Sequence, residues 1–151
     1  PGPLLDHADW EPATLHPWPE HAPDPIDCSA LSWSRETTGG EASLEVNTDD
    51  CNYLELQQPT IAEARIGDEL QFRLWHFDLV QFDPATAHAA LQIDGLTVFD
   101  VEVAIPGDAE MILAEHTLQQ DLPEGSIALF HLHNHGANTW NLVEVSVNPP
   151  E

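Results

Sequence analysis

Apolar and polar side chains alternate with a period of two along most of the chain after residue 28. Successive residues of a β-strand point to opposite faces of a sheet, so this period predicts strands that bury one face each. The alternation covers residues 31–35, 43–47, 53–56, 69–77, 86–93, 96–105, 110–122, 126–135 and 140–147. The pattern of residues 110–122 also allows a short helix.

Turn-forming residues separate these segments at intervals of about ten residues. Gly39-Gly40, Asp94-Gly95 and Pro106-Gly107 are examples, and the Asp-Gly pair is a favoured hairpin turn. Many short strands at regular spacing are typical of sandwiches and barrels. The sequence therefore predicts an all-β fold, an antiparallel β-sandwich of jelly-roll type with about eight or nine strands.

Residues 1–27 differ in composition from the rest of the chain. Seven of its 13 prolines lie there, and proline disrupts helices and central strands. We predict an extended N-terminal arm over residues 1–27, held against the domain by Trp10 and Trp18, and a β-sandwich domain over residues 28–151. Pro1 stands where a processed or shortened chain would begin, which leaves open whether a lipid anchor was removed.

The charge of the chain excludes several classes of partner. Its 27 acidic and 3 basic residues give a net charge of −24. Nucleic acids and anionic membrane surfaces are both bound through clustered Lys and Arg, so neither is expected as a partner. No apolar run is long enough to span a bilayer. Such a charge is typical of a protein kept soluble by self-repulsion, and we expect a secreted, periplasmic or cell-envelope location.

The chain contains two cysteines, Cys28 and Cys51. An even count in a protein of this kind predicts a disulfide and an oxidising compartment. Two free, buried thiols are the alternative. Their spacing matches neither a zinc site nor a redox motif.

Three of the nine histidines occupy alternate positions, His131, His133 and His135. Residues i and i+2 of a strand share a face, about 7 Å apart, so two imidazoles placed in this way can chelate one metal ion. Other strands must complete the site, and His76 and His88 are the candidates. Imidazole ligands favour copper or zinc. A purely structural role for these histidines is the alternative.

Calcium ranks behind copper and zinc as a bound ion. The segment of residues 47–52 is rich in side-chain oxygen, but it lacks the glycine and the terminal glutamate of an EF-hand loop. A capped turn is the alternative interpretation.

Gly125, His131 and His133 have the spacing that opens the first cupin motif. Residues 125–133 therefore resemble the cupins, a family of β-sandwich barrels, and this resemblance implies a metal ion bound by the two histidines. Where the motif continues to a glutamate, this chain has Ala137 and Asn138. More loosely, residues 28–148 resemble uncharacterised acidic lipoproteins of bacterial envelopes, from which no activity follows.

Aromatic residues suggest a different kind of site. Trp75 has the opposite parity to Leu70, Phe72 and Leu74, so it should point away from their core face. Exposed tryptophan on a sandwich face is typical of ligand binding. Trp75 and Trp140 are therefore candidates for a carbohydrate-binding or other surface-recognition site.

No enzymatic motif is apparent. The chain has no G-x-S-x-G segment and no Walker or Rossmann glycine pattern, and its carboxylates are too numerous to single out a catalytic pair. The first hypothesis is therefore a non-enzymatic, secreted or envelope β-sandwich that binds a transition metal ion. A carbohydrate-binding module is the second hypothesis, and a structural envelope domain is the third. No oligomeric state is predicted.

Overall fold

The structure is a computed structural model that describes residues 2–23 and 26–148. These residues contain eleven β-strands. Nine have six residues or more and follow the alternating segments of the sequence, whereas two contain only two residues and lie in the Pro-rich segment. The strands are β1 (Gly2–Pro3), β2 (Glu11–Pro12), β3 (Trp33–Thr38), β4 (Glu41–Asn47), β5 (Tyr53–Pro59), β6 (Glu69–His76), β7 (Ala85–Ile93), β8 (Leu96–Ile105), β9 (Glu110–Thr117), β10 (Ile127–His133) and β11 (Thr139–Asn148).

The strands form two antiparallel sheets. One has the order β3-β4-β11-β6-β9, with β1 beside the second half of β11, and is the six-stranded sheet. The other has the order β2-β5-β10-β7-β8 and is the five-stranded sheet. Most successive strands from β4 to β11 alternate between the two sheets, which is jelly-roll topology. The predicted fold class is confirmed.

Two hairpins have the turns that the sequence predicts. Asp94 and Gly95 connect β7 to β8 with φ angles of 53° and 78°, and Gly39 and Gly40 connect β3 to β4 with φ angles of 60° and 84°. Positive φ at both central positions gives a turn whose twist matches that of the flanking strands. These glycines are required because other residues rarely adopt that conformation.

Residues 110–122, for which a strand and a helix were both allowed, form β9 only as far as Thr117. Beyond that point the backbone leaves the sheet. The amide of Leu118 donates to the carbonyl of Asp68 at 2.8 Å, and that of Leu122 donates to the carbonyl of Ala64 at 2.7 Å. The strand therefore ends where the chain begins to pair with the loop that precedes β6.

The core lies between the sheets and consists of the side chains that point inward from each strand. Trp140, Phe130, Leu74 and Leu91 are among its fully buried side chains, with 1% or less of their surface exposed. Facing sheets that bury alternate residues are the standard packing of a sandwich. Removing one large aromatic from such a core costs about 3–5 kcal/mol.

The predicted disulfide between Cys28 and Cys51 is confirmed, with an S–S distance of 2.02 Å. Cys51 follows the 3-10 helix Thr48–Asp50 and precedes β5. Asn47 caps that helix by accepting a hydrogen bond from the amide of Asp49 at 3.0 Å. The oxygen-rich segment thus folds as a capped turn.

The N-terminal segment is packed into the sandwich on both sides. Strand β1 pairs with β11 of the six-stranded sheet, and β2 pairs with β5 of the five-stranded sheet. Leu4 and Trp10 belong to the main core, whereas Trp18 packs on the outer face of the five-stranded sheet. Of the predicted arm, residues 1, 24 and 25 lie outside the described structure, as do residues 149–151 of the predicted domain.

Within the described ranges, no helix has the length and apolar character needed to cross a bilayer.

Candidate functional site

The outer faces of the two sheets differ in what lies over them. On the five-stranded sheet, side chains of β5, β7 and β10 are covered by the N-terminal segment, and we call this surface the covered face. It contains Tyr53, Glu55, His88, Ala90, Leu129 and His131.

Trp18 closes the covered face. Its ring packs on Ala90 and Leu129, and its centroid lies 4.8 Å from that of His131 and 5.7 Å from that of His88. Because His131 is completely buried and His88 is 3% exposed, these imidazoles lie in a closed interface.

Glu55 is the centre of a hydrogen-bond network beneath this cover. Its Oε2 lies 3.2 Å from Nδ1 of His131, and its Oε1 accepts from Nδ1 of His16 and, at 3.0 Å, from the Tyr53 hydroxyl. Burial alone would raise the pKa of Glu55, but these hydrogen bonds prevail and lower it. Burial, aided by the carboxylate, raises the pKa of Tyr53. The carboxylate is therefore ionised, and its hydrogen bonds join the N-terminal segment to strands β5 and β10.

The predicted metal ligands gather in two pairs. The rings of His88 and His131 lie 4.7 Å apart on adjacent strands, and those of His133 and His135 lie 4.8 Å apart at the end of β10. Nε2 of His88 lies 2.8 Å from a carboxylate oxygen of Asp100. Among residues 2–23 and 26–148, no group of three or more His, Cys, Asp or Glu side chains could hold a metal ion.

His76 is not part of either pair, which corrects the expectation that it could complete the site. It lies on β6 of the six-stranded sheet and faces the core, where its ring contacts Trp140 at 4.6 Å and its Nδ1 lies 2.7 Å from the carbonyl oxygen of Phe77. The covered face is on the far side of the other sheet. The alternation along residues 69–77 places His76 on the inner face of its strand, but local alternation does not specify which sheet that strand joins.

The outer face of the six-stranded sheet is accessible and contains a groove. Gln71, Arg73 and Trp75 alternate along β6 with the core residues of that strand. Across the sheet, Trp75 pairs with Met111 and Arg73 pairs with Leu113, and these apolar partners are 48% and 71% exposed. Trp75 lies on this outer face, as its parity predicted, but it is half-buried rather than exposed, and its ring meets Phe77 edge-on at 4.9 Å.

Trp140 lies on the opposite face from Trp75, so the expectation that both rings belong to one binding surface is wrong. Trp140 pairs with His76 across the ladder, whereas Trp75 pairs with Asn141. Paired residues share a face, and therefore Trp140 points inward with Leu142. It is 1% exposed and serves the core.

Two adjoining cavities form the groove. The larger has a volume of about 610 Å³ and lies between β11 and residues 2–7. The smaller, of about 180 Å³, includes Trp75. They share Glu41, Arg73 and Val143, so we treat them as one continuous surface, the Trp75 groove, defined by Glu41, Ser43, Gln71, Arg73, Trp75 and Glu144.

Arg73 is held by two carboxylates in the middle of the groove. Nη1 donates to Oε1 of Glu41 at 3.1 Å, Nη2 donates to the other Glu41 oxygen, and Nη2 lies 3.3 Å from Oε2 of Glu144. This fork geometry raises the pKa of Arg73 and lowers that of Glu41. Arg73 and Glu41 are therefore charged at neutral pH.

Residues of the N-terminal segment form one wall of the groove, a role that nothing in the sequence indicated. Strand β11 has a bulge between Leu142 and Glu144, and the carbonyl of Val143 in this bulge lies 2.9 Å from Nε2 of His7. Nδ1 of His7 accepts a hydrogen bond from Nε1 of Trp10 at 3.1 Å. Burial lowers the pKa of His7, so its ring remains neutral and fixes this wall.

No protein-family model and no curated protein sequence matches this chain. Several solved structures share its fold. A module specific for non-crystalline cellulose, CBM28, has a TM-score of 0.53 at 11% identity over 97% of this chain and 97% of that chain. TmCBM61, solved with β-1,4-galactotriose, has a TM-score of 0.52 at 13% identity over 81% and 85%.

A third solved structure is TmCBM27, a carbohydrate-binding module that specifically recognises mannan. Its TM-score is 0.51 at 5% identity, over 91% of this chain and 88% of that chain. At these identities the likeness establishes the fold alone. The chain has the β-sandwich fold found in carbohydrate-binding modules.

Proposed function

We propose that this protein is a non-catalytic carbohydrate-binding module and that the Trp75 groove binds a glycan chain. The observation that carries the proposal is a half-buried tryptophan beside a polar groove on a sandwich of this fold. The three solved modules of the same fold bind cellulose, a galactotriose and mannan, which supports the choice of ligand class.

The chemistry of the groove suits a sugar ring. An indole face packs well against the C–H groups of a pyranose while its edge remains polar. The side-chain amide of Gln71 can both donate and accept hydrogen bonds, which matches a ligand made of hydroxyls. Ser43 lies beneath the groove surface, where its hydroxyl donates to Oδ1 of Asn141 at 3.1 Å. A concave surface with a few convergent polar groups is the usual form of a ligand site.

Affinity electrophoresis in gels that contain soluble glucan, galactan or mannan tests the proposal. We expect at least one gel to retard the protein and Trp75→Ala to weaken that binding by about tenfold or more, equal to 1.4 kcal/mol. Because Trp75 lies on an outer face, the variant should fold, and circular dichroism checks this.

Phe82→Ala is the matched control. It also removes an aromatic ring, which is 98% exposed on the loop between β6 and β7, but it lies outside the groove residues. Retardation should be unchanged in this variant. Equal losses in the two variants, or no retardation of the native protein in any gel, would contradict the proposal.

Metal binding is a second candidate, favoured by the 4.7 Å separation of the His88 and His131 rings. The native protein would be incubated with copper or zinc, desalted and measured by elemental analysis beside His88→Ala and His131→Ala. One bound ion in the native protein and none in the variants is the expected result. An absence of retained metal would end this candidate.

We also propose an extracytoplasmic location, secreted, periplasmic or attached to the envelope. The Cys28–Cys51 disulfide supports it, because structural disulfides persist in oxidising compartments. Thiol trapping in cells tests it, and reduced cysteines in the native protein would contradict it.

A further inference from the structure

The charges inside the Trp75 groove are strongly unbalanced. Asp6, Glu41 and Glu144 line its larger cavity together with a single guanidinium, that of Arg73. His7 lines the same cavity, but burial lowers its pKa, so the ring adds no positive charge at neutral pH. A ligand in this cavity therefore meets three carboxylates and one cation.

The one cation is already engaged. Both Nη atoms of Arg73 donate to the carboxylate of Glu41, and Nη2 also approaches Glu144. Two carboxylates already balance the charge of this guanidinium, and its unused Nε is buried, so it attracts a third anion only weakly. An incoming carboxylate or sulfate would have to displace Glu41 and would leave that carboxylate without its partner in the groove.

The remaining cations of the chain do not line the groove. Arg65 pairs with Glu63 at 2.9 Å on the loop after β5, where both side chains are well exposed. Arg35 lies on the edge strand β3 and is likewise exposed; its charge acts on His7 in the groove wall, where it adds to burial in lowering the pKa of the ring, but Arg35 itself does not line the cavity. The net charge of −24 also repels an anionic ligand at longer range.

We infer that the Trp75 groove selects uncharged glycans and rejects glycans that carry carboxylate or sulfate groups. This inference rests on the proposed function and specifies its ligand class. Like charges brought together at an interface are costly, and at physiological salt screening becomes effective only beyond about 8 Å. The repulsion from carboxylates that lie within about 8 Å of a bound ligand is therefore only partly screened.

The test uses glycans that share a backbone and differ only in charge. Hydroxyethyl cellulose is compared with carboxymethyl cellulose, and methyl-esterified polygalacturonan with its de-esterified form, by affinity electrophoresis. At low salt we expect the uncharged member of a pair to bind about tenfold or more tightly. The difference should shrink at 1 M salt, where the screening length falls to about 3 Å.

Glu41→Gln and Glu63→Gln form a matched pair of variants. Each removes one carboxylate and one arginine–glutamate ion pair, but only the first does so inside the groove, where Arg73 keeps only its 3.3 Å approach to Glu144. Freed from its fork, Arg73 can bind an anionic group, so Glu41→Gln should gain about tenfold in affinity for the acidic glycan. Glu63→Gln should bind it no better than the native protein does.

Equal or tighter binding of the acidic member by the native protein would overturn the inference. If that binding is lost in Trp75→Ala, the proposed function stands and only the charge selectivity falls. If Glu63→Gln gains as much as Glu41→Gln, the effect is one of net charge and the groove has no selectivity of its own. If the native protein binds no member of this panel and none of the glucan, galactan and mannan gels retards it, both proposals fall.

Discussion

The two outer faces of this sandwich carry similar side chains but use them differently. On the covered face, an aromatic ring, a carboxylate and imidazoles are sealed under Trp18, and they bond to one another. In the Trp75 groove, an aromatic ring, carboxylates and a guanidinium remain accessible. Polar groups that satisfy each other inside a closed interface stabilise the fold, whereas those left at an accessible surface are available to a ligand.

The largest expected contrast is in stability. Trp18→Ala removes the ring that covers Ala90 and Leu129 and should lower the free energy of unfolding by about 3 kcal/mol. Trp75→Ala, on the accessible face, should change it by less than about 1 kcal/mol. Chemical denaturation measures both. Equal losses of unfolding free energy in the two variants would show that the two faces contribute alike to stability.

The second contrast concerns the carboxylates. Glu55→Gln weakens three hydrogen bonds beneath the cover and should cost about 1–3 kcal/mol, because hydrogen bonds to a charged group are the stronger kind. Glu41→Gln loses an exposed ion pair and should leave the denaturation midpoint unchanged. A loss in Glu41→Gln as large as that in Glu55→Gln would show that the groove is a structural element as well.

The smallest effect is a dependence on pH. The pKa of Glu55 lies below its ordinary value of 4.5 in the folded protein. Its stabilising contribution is therefore complete above pH 4.5 and declines as the pH falls further, because the unfolded chain takes up the proton first. The stability difference between the native protein and Glu55→Gln should shrink from pH 6 to pH 3. A constant difference would mean that this carboxylate does not titrate as described.

Local alternation was sufficient to predict most of the fold. The parity of Leu70, Phe72 and Leu74 identified the inner face of β6, and hence the outward direction of Trp75, because a strand repeats every two residues whatever its neighbours. The same rule was available for Trp140, which has the parity of Leu142. By that rule Trp140 points into the core, so its assignment to a binding surface was wrong.

Pairing between distant segments was beyond the sequence. The alternation of β6 does not say that Glu144 lies opposite Arg73, so the charged centre of the groove was missed. The Pro-rich segment has no period at all, so the sequence predicted only that Trp18 would pack against the domain. Its contacts with Ala90 and Leu129 depend on tertiary structure that no local pattern encodes. The spacing of His131 and His133 on β10 placed both side chains on one face of the sheet. It could not show that His131 lies opposite Glu55 on β5, whose carboxylate binds its imidazole.

The pairing of Gly2 with Val147 makes the first and last strands of the described chain direct neighbours. Residues 2–7, which form one wall of the Trp75 groove, therefore join the six-stranded sheet through a strand pairing of only two residues with β11. A substitution that weakens this short pairing should loosen the wall and leave the longer strand pairs of the six-stranded sheet intact. The shape of the groove can thus change without any change in the sheet beneath it.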